Sequence, residues 1–86
     1  LSVSGEKDSI NVKQIPYEKI CLQDQSQAIK DLDIRKKTGC SVIGYKSPTG
    51  EYIVNPEPTM ILEKDSVLIL IGRPNQIESL KGLYNV

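Results

Sequence analysis

Residues 38–58, TGCSVIGYKSPTGEYIVNPEP, read as a β-hairpin, and this stretch narrows the folds open to the chain more than any other. Ser41–Lys46 and Glu51–Val54 are short runs rich in β-branched and aromatic residues, with no proline inside them. Between them, Ser47-Pro48-Thr49-Gly50 puts proline second and glycine fourth. That is the order of a type I turn, because the pyrrolidine ring presets φ to about −65° at the second position. Asn55-Pro56-Glu57-Pro58 then ends the pairing, since neither proline offers an N–H to a ladder. Strands joined by so short a turn are antiparallel.

The rest of the chain builds on that hairpin. Residues 1–9 are polar and aperiodic and read as a linker or frayed end. Ile10, Val12 and Ile15 lead to Pro16 as a short edge strand or an extended lead-in. Residues 1–16 are therefore expected as linker or lead-in, and 17–86 as the domain. Residues 17–22 alternate Ile20 and Leu22 with Lys19 and Cys21, which predicts a strand. Asp24 with Gln27, or Ser26 as a rival cap, opens a helix over residues 27–37. Its apolar face is Ala28, Ile29 and Leu32, its last turn holds Arg35, Lys36 and Lys37, and Gly39 is its left-handed stop. After the hairpin come an apolar bridge at Thr59–Leu62, a turn at Glu63–Asp65 and a strong strand from Ser66 to Ile71, which Gly72 ends. Pro74 and Asn75 open a final helix, with Asn75 and Glu78 as a capping pair and Ile77, Leu80, Tyr84 and Leu83 as its apolar side. The order is β-α-β-β-β-α, an α+β domain with a mainly antiparallel sheet and two helices.

Val67–Ile71 is apolar at every position, whereas an antiparallel strand with one wet face alternates. Both of its faces are therefore expected to be covered. The second cover is a loop, a neighbouring domain or, most simply for so short a chain, another copy of the chain, unless the helices straddle the sheet.

Eighty-six residues allow one domain with a modest core. Eleven acidic and eleven basic residues cancel, which argues against a nucleic-acid binder and against a polybasic membrane-surface domain. No apolar run approaches the roughly 20 residues that span a bilayer, so no direct membrane insertion is expected. Nothing has the form of a signal peptide. The chain starts at Leu1 rather than Met, which reads as a segment of a longer protein. Cys21 and Cys40 read as free thiols of a cytosolic domain.

The absence of histidine removes the commonest general base and the commonest metal ligand together. No nucleotide loop, zinc spacing or nucleophile elbow is present. Asp31 and Asp33 lack an evident third metal ligand, and Cys40 lacks a base. No catalytic residue and no metal site are expected, and the chain does not read as an enzyme.

Leu32-Asp-Ile-Arg-Lys-Lys-Thr-Gly39, Ser41-Val-Ile-Gly-Tyr-Lys46, Asn55-Pro-Glu-Pro-Thr59 and Glu63-Lys-Asp-Ser-Val-Leu-Ile-Leu-Ile-Gly72 are, in that order and spacing, similar to the TrkA-C domain. This is the C-terminal lobe of RCK (regulator of K⁺ conductance) proteins, and the resemblance covers about residues 17–84. Two departures stand out. Ser26 lies where the family often has a glycine before the first helix, and Lys64-Asp65 replaces Gly-Asp before the last strand.

The resemblance implies a regulatory domain at the cytoplasmic face of the cell membrane. It would belong to a potassium channel or cation transporter, pair as a homodimer, and work with a transmembrane part in the same or a partner chain. In some members the dimer cleft binds cyclic di-AMP through an Arg at the helix end, an Asn at the start of the next strand, and a Pro after the hairpin. Arg35 and Pro56 match the first and third of these, and Ser41 stands in place of the Asn. Arg35, Ser41 and Pro56 are thus the ligand-binding residues that the resemblance implies. Arginine suits phosphate through two parallel charge-assisted bonds, whereas a serine hydroxyl loses the two-point contact of an amide. The alternative is a structural dimerisation module that binds no small molecule.

Overall fold

Four strands form one sheet in the order β1–β4–β2–β3, every neighbouring pair antiparallel, in the computed structural model of the chain, which describes residues 10–21 and 27–86. The strands are β1 (Asn11–Pro16), β2 (Ser41–Lys46), β3 (Tyr52–Val54) and β4 (Val67–Gly72). The helices are α1 (Tyr17–Ile20), α2 (Ile34–Thr38) and α3 (Pro74–Tyr84), and a 3-10 turn at Ile29–Leu32 precedes α2. The α+β class and the antiparallel sheet are those expected from the sequence.

The hairpin forms where its composition places it. The Gly50 N–H donates to the Ser47 carbonyl at 2.9 Å, and the Ser47 N–H donates to the Glu51 carbonyl at 2.7 Å. Gly50 takes φ +96°, which a three-residue loop built on a type I turn requires at that position. Asn55 also adopts positive φ and donates its N–H to the Ile43 carbonyl, the last bond before the two prolines.

The N-terminal half differs from expectation. Of the two readings for residues 10–16, the edge strand is the one formed: β1 pairs with β4 from Asn11↔Gly72 to Pro16↔Val67. The strand expected at 17–22 is instead the helical turn α1, led in by Pro16. Tyr17, Ile20 and Cys21 are all buried, and their three- and four-residue spacing is that of a helix face. The single helix expected over 27–37 is two pieces. Asp33, at φ +50°, ends the 3-10 turn and starts α2. Ala28, Ile29 and Leu32 are buried as their pattern indicated. Gly39 closes α2 at φ +85°, with its N–H on the Arg35 carbonyl at 2.8 Å. The cap expected at Asp24 or Ser26 lies outside the described residues. At α3 the capping partner is Gln76 rather than Glu78, because the N-cap is Arg73, two residues before Asn75: the Arg73 N–H donates to Gln76 Oε1 at 2.8 Å.

One core lies on one side of the sheet. Ile15, Leu68, Leu70 and Tyr45 point into it and meet Tyr17, Ile20, Leu32, Ile34, Leu62, Ile77 and Leu80. Along β4 the exposure alternates, with Leu68 and Leu70 buried and Val67, Ile69 and Ile71 half-buried. The helices therefore do not straddle the sheet. The outer face carries Val12, Val67, Ile69, Ile71, Tyr52 and Val54. Val12, Tyr52 and Val54 are 61, 62 and 77% exposed. In β2 the register slips between Val42 and Gly44, so Ile43 is an extra residue. The bulge lets Val42 and Tyr45, three apart, both address the core, while Gly44 turns outward beneath the Ile69 side chain.

Candidate functional site

Where β2 leaves Gly39, its first residues lie against the 3-10 turn and α2, and an open groove of about 490 Å³ runs between them. Ile29, Ile34, Cys40 and Val42 form its apolar floor, and Lys30, Asp33, Arg35, Lys36 and Ser41 its polar rim.

Local bonding explains why the rim is held in this shape. Thr38 Oγ1 donates to the Ile34 carbonyl at 2.8 Å and accepts the Cys40 N–H at 3.1 Å, which ties the end of α2 to the start of β2. The positive φ at Gly39 turns the chain sharply between them. The 3-10 turn is held from the other side: the Ile29 N–H donates to the Met60 carbonyl at 3.0 Å and the Lys30 N–H to the Pro58 carbonyl at 2.8 Å. Behind the floor, Cys40 Sγ donates to the Gln76 carbonyl at 3.4 Å. A Cβ on Gly72 would stand 2.8 Å from Cys40 Sγ, and one on Gly39 would stand 2.7 Å from Gln76 Nε2, so α3 starts hard against the groove's floor.

Three rim cations face a single carboxylate, Asp33. Among the described residues the one ion pair joins Lys81 to Glu78, so Lys30, Arg35 and Lys36 keep their charge uncompensated by a bonded partner. In a chain of zero formal charge, the groove is thus a local positive site.

The structure brings Arg35 and Ser41 together on this rim. Pro56 stands one residue past Asn55, half-buried and outside the lining. Lys30 escaped the sequence reading, and Lys36 entered it only with Arg35 and Lys37 as a helix-end cation, where charge of this kind looks like an ordinary solvated end. Asp31 and Asp33 gain no metal-binding cluster among the described residues. Both thiols are free and buried, and burial pushes the Cys21 thiol above its ordinary value, against a smaller lowering by the Gln27 backbone.

Among the described residues no helix is long and apolar enough to cross a membrane. The chain is 34% identical over 59 residues to the ammonium/H⁺ antiporter subunit AmhM of Alkalihalophilus pseudofirmus, covering 67% of this chain and 34% of that one. It is 32% identical over 57 residues to the probable potassium channel protein 2 of Methanocaldococcus jannaschii, covering 66% of this chain and 16% of that one. The chain thus spans about a third or less of the curated relatives it matches. Among solved structures, the RCK C domain of the potassium transport protein KtrA in complex with cyclic diadenosine monophosphate superposes with a TM-score of 0.69 at 31% identity. That match covers 92% of this chain and 86% of that one. The TrkA-C domain matches residues 26–84, which take in the 3-10 turn, α2, the whole hairpin, β4 and α3. The chain therefore belongs to the TrkA-C domain family, the C-terminal lobe of RCK proteins.

Proposed function

We propose that this chain is a ligand-sensing regulatory domain of a potassium channel or cation transporter, held at the cytoplasmic face of the membrane. It takes a small phosphate-bearing ligand, of the cyclic dinucleotide class, in the groove between α2 and β2. The carrying observation is that one open groove combines an apolar floor with Lys30, Arg35 and Lys36 on its rim. The likeness to the KtrA domain, whose structure contains cyclic di-AMP, supports the choice of ligand. An apolar floor suits the face of a base, and a guanidinium suits phosphate. The groove is open to solvent, and a second copy of the chain closes it. A ligand held between two copies then acts through its different affinity for two arrangements of the pair. The reading is one of binding and not of catalysis.

Isothermal calorimetry with cyclic di-AMP, cyclic di-GMP, ATP and inorganic phosphate tests this directly. Saturable heat with a cyclic dinucleotide is expected, and heat with none of the four overturns the reading. A second reading, a dimerisation clamp without a ligand, is favoured by the apolar outer face of β4 and predicts self-association with no heat.

A further inference from the structure

Gln76 does not line the groove, yet it holds the groove's corner from behind. It stands half-buried in the first turn of α3. Its backbone carbonyl accepts the Cys40 thiol at 3.4 Å, and Cys40 is part of the groove's floor. Its side chain covers Gly39 so closely that a Cβ there would stand 2.7, 3.1 and 3.2 Å from Nε2, Cδ and Cγ. The same residue lies over Gly72, where a Cβ would stand 3.2 Å from Gln76 Cβ and 3.3 Å from Oε1. Oε1 also accepts the Arg73 N–H at 2.8 Å, which caps α3. One side chain thus meets the start of β2, the end of β4 and the start of α3.

We propose that Gln76 is a positioning residue that couples ligand binding in the groove to the first turn of α3. The proposal rests on the ligand-sensing reading and deepens it, by naming the element that registers the bound state. Gly39 turns the chain at φ +85°, and the next two residues, Cys40 and Ser41, supply floor and rim. On the α2 side that corner is tied through Thr38 Oγ1. On the α3 side it rests on the Gln76 amide, with no room for a methyl group between them. A ligand that draws Ser41 inward moves the corner, and groups packed this closely move together. The amide cannot follow without changing its bond to the Arg73 N–H. The groove's shape and the cap of α3 therefore change as one, and each sets the free energy of the other.

A plain cap would need only Oε1 and the Arg73 N–H. Here the rest of the amide presses on Gly39, a residue outside α3. The Gln76 carbonyl, whose ordinary partner in an α-helix is the N–H four residues on, takes the Cys40 thiol as a further donor. Both contacts reach the corner of the groove, one through the side chain and one through the backbone. Arg73 and Asn75 are exposed in the same turn, so a change there reaches the surface of the domain.

The test compares Gln76→Ala with Ser79→Gly. Ser79 is exposed and its hydroxyl donates to the Asn75 carbonyl within the helix, so its loss weakens α3 without removing a group from the corner. Calorimetry with cyclic di-AMP is expected to give about tenfold weaker binding to Gln76→Ala than to the parent chain, and parent-like binding to Ser79→Gly. Amide exchange followed by NMR is expected to slow several-fold at Arg73 when cyclic di-AMP binds the parent chain. A parent-like affinity of Gln76→Ala, an equal loss in both variants, or Arg73 exchange unchanged by cyclic di-AMP overturns the proposal and leaves the ligand reading standing. No heat from the parent chain removes the ligand reading and this proposal with it.

Discussion

Arg35 stands on the groove's rim with neither Asp31 nor Asp33 bonded to it, which separates a binding role from a structural one. Arg35→Ala is expected to abolish the ligand-induced thermal shift while moving the unliganded melting temperature little, since exposed charges contribute about 0–1 kcal/mol. Equal affinity of the variant and the parent by calorimetry would remove Arg35 from the site. Two glycines carry the opposite expectation. Gly72→Ala forces a Cβ to 2.8 Å from Cys40 Sγ, and overpacking of this kind costs about 1–3 kcal/mol. Denaturant titration should show that loss, whereas Gly82→Ala, where a Cβ meets open space inside α3, should raise stability by up to about 1 kcal/mol. Cys21 links the core to pH. Burial raises its thiol above the ordinary 9.0, and burial raises Tyr84, with the Cys21 charge adding to the shift. The unfolded chain then releases these protons at lower pH than the folded one. Stability is unchanged below about pH 9 and falls as pH rises through the raised values. Melting temperatures from pH 7 to 10.5 should show that fall, and Cys21→Ala should flatten it.

Among the elements, β4 sets the terms for the others, since β1 and β2 flank it and its two faces differ. Leu68 is 1% exposed and Val67 is half-buried on the outer face. Leu68→Lys should therefore cost several kcal/mol as an unpaired buried charge, and Val67→Lys about 0.5 kcal/mol or less. If the outer face clamps a second copy, Val67→Lys also lowers the sedimentation mass while circular dichroism stays unchanged. The hairpin, β4 and α3 were legible in the sequence because each is set by local chemistry: a Pro-Thr-Gly turn, an unbroken apolar run, and proline in a first turn. The segment from Tyr17 to Thr38 was less so. Ile20 and Leu22 mimic strand alternation, and only burial shows that Tyr17, Ile20 and Cys21 share one face. The break at Asp33 lies in its left-handed backbone, φ +50°, which the apolar pattern of residues 27–37 does not reveal. Arg35 and Ser41 came from family likeness, while Lys30 and Lys36 needed the turn geometry that sets them beside Ser41.

At the scale of the whole molecule, a neutral chain concentrates positive charge at one groove and apolar surface on one sheet face and edge. Ligand binding and self-association should therefore answer differently to salt. Raising ionic strength from about 0.05 to 0.5 M should weaken cyclic di-AMP binding several-fold, as screening shortens the reach of the three cations. Self-association through the apolar outer face should hold or tighten, and a parallel salt response of the two would show that they are one event. The pairing of β1 with β4 has a consequence of another kind. Asn11 meets Gly72 across nearly the full length of the sheet's sequence, whereas the hairpin closes over a handful of residues. Closing the long loop costs entropy before its contacts reward it. The hairpin then belongs to the folding nucleus, and β1 docks after the rate-limiting step. Ile15→Val should accordingly speed unfolding and leave the refolding rate nearly unchanged, and stopped-flow chevrons would show it in the unfolding arm alone. During synthesis β1 has no strand to join until β4 has left the ribosome, so the first strand made is the last one placed.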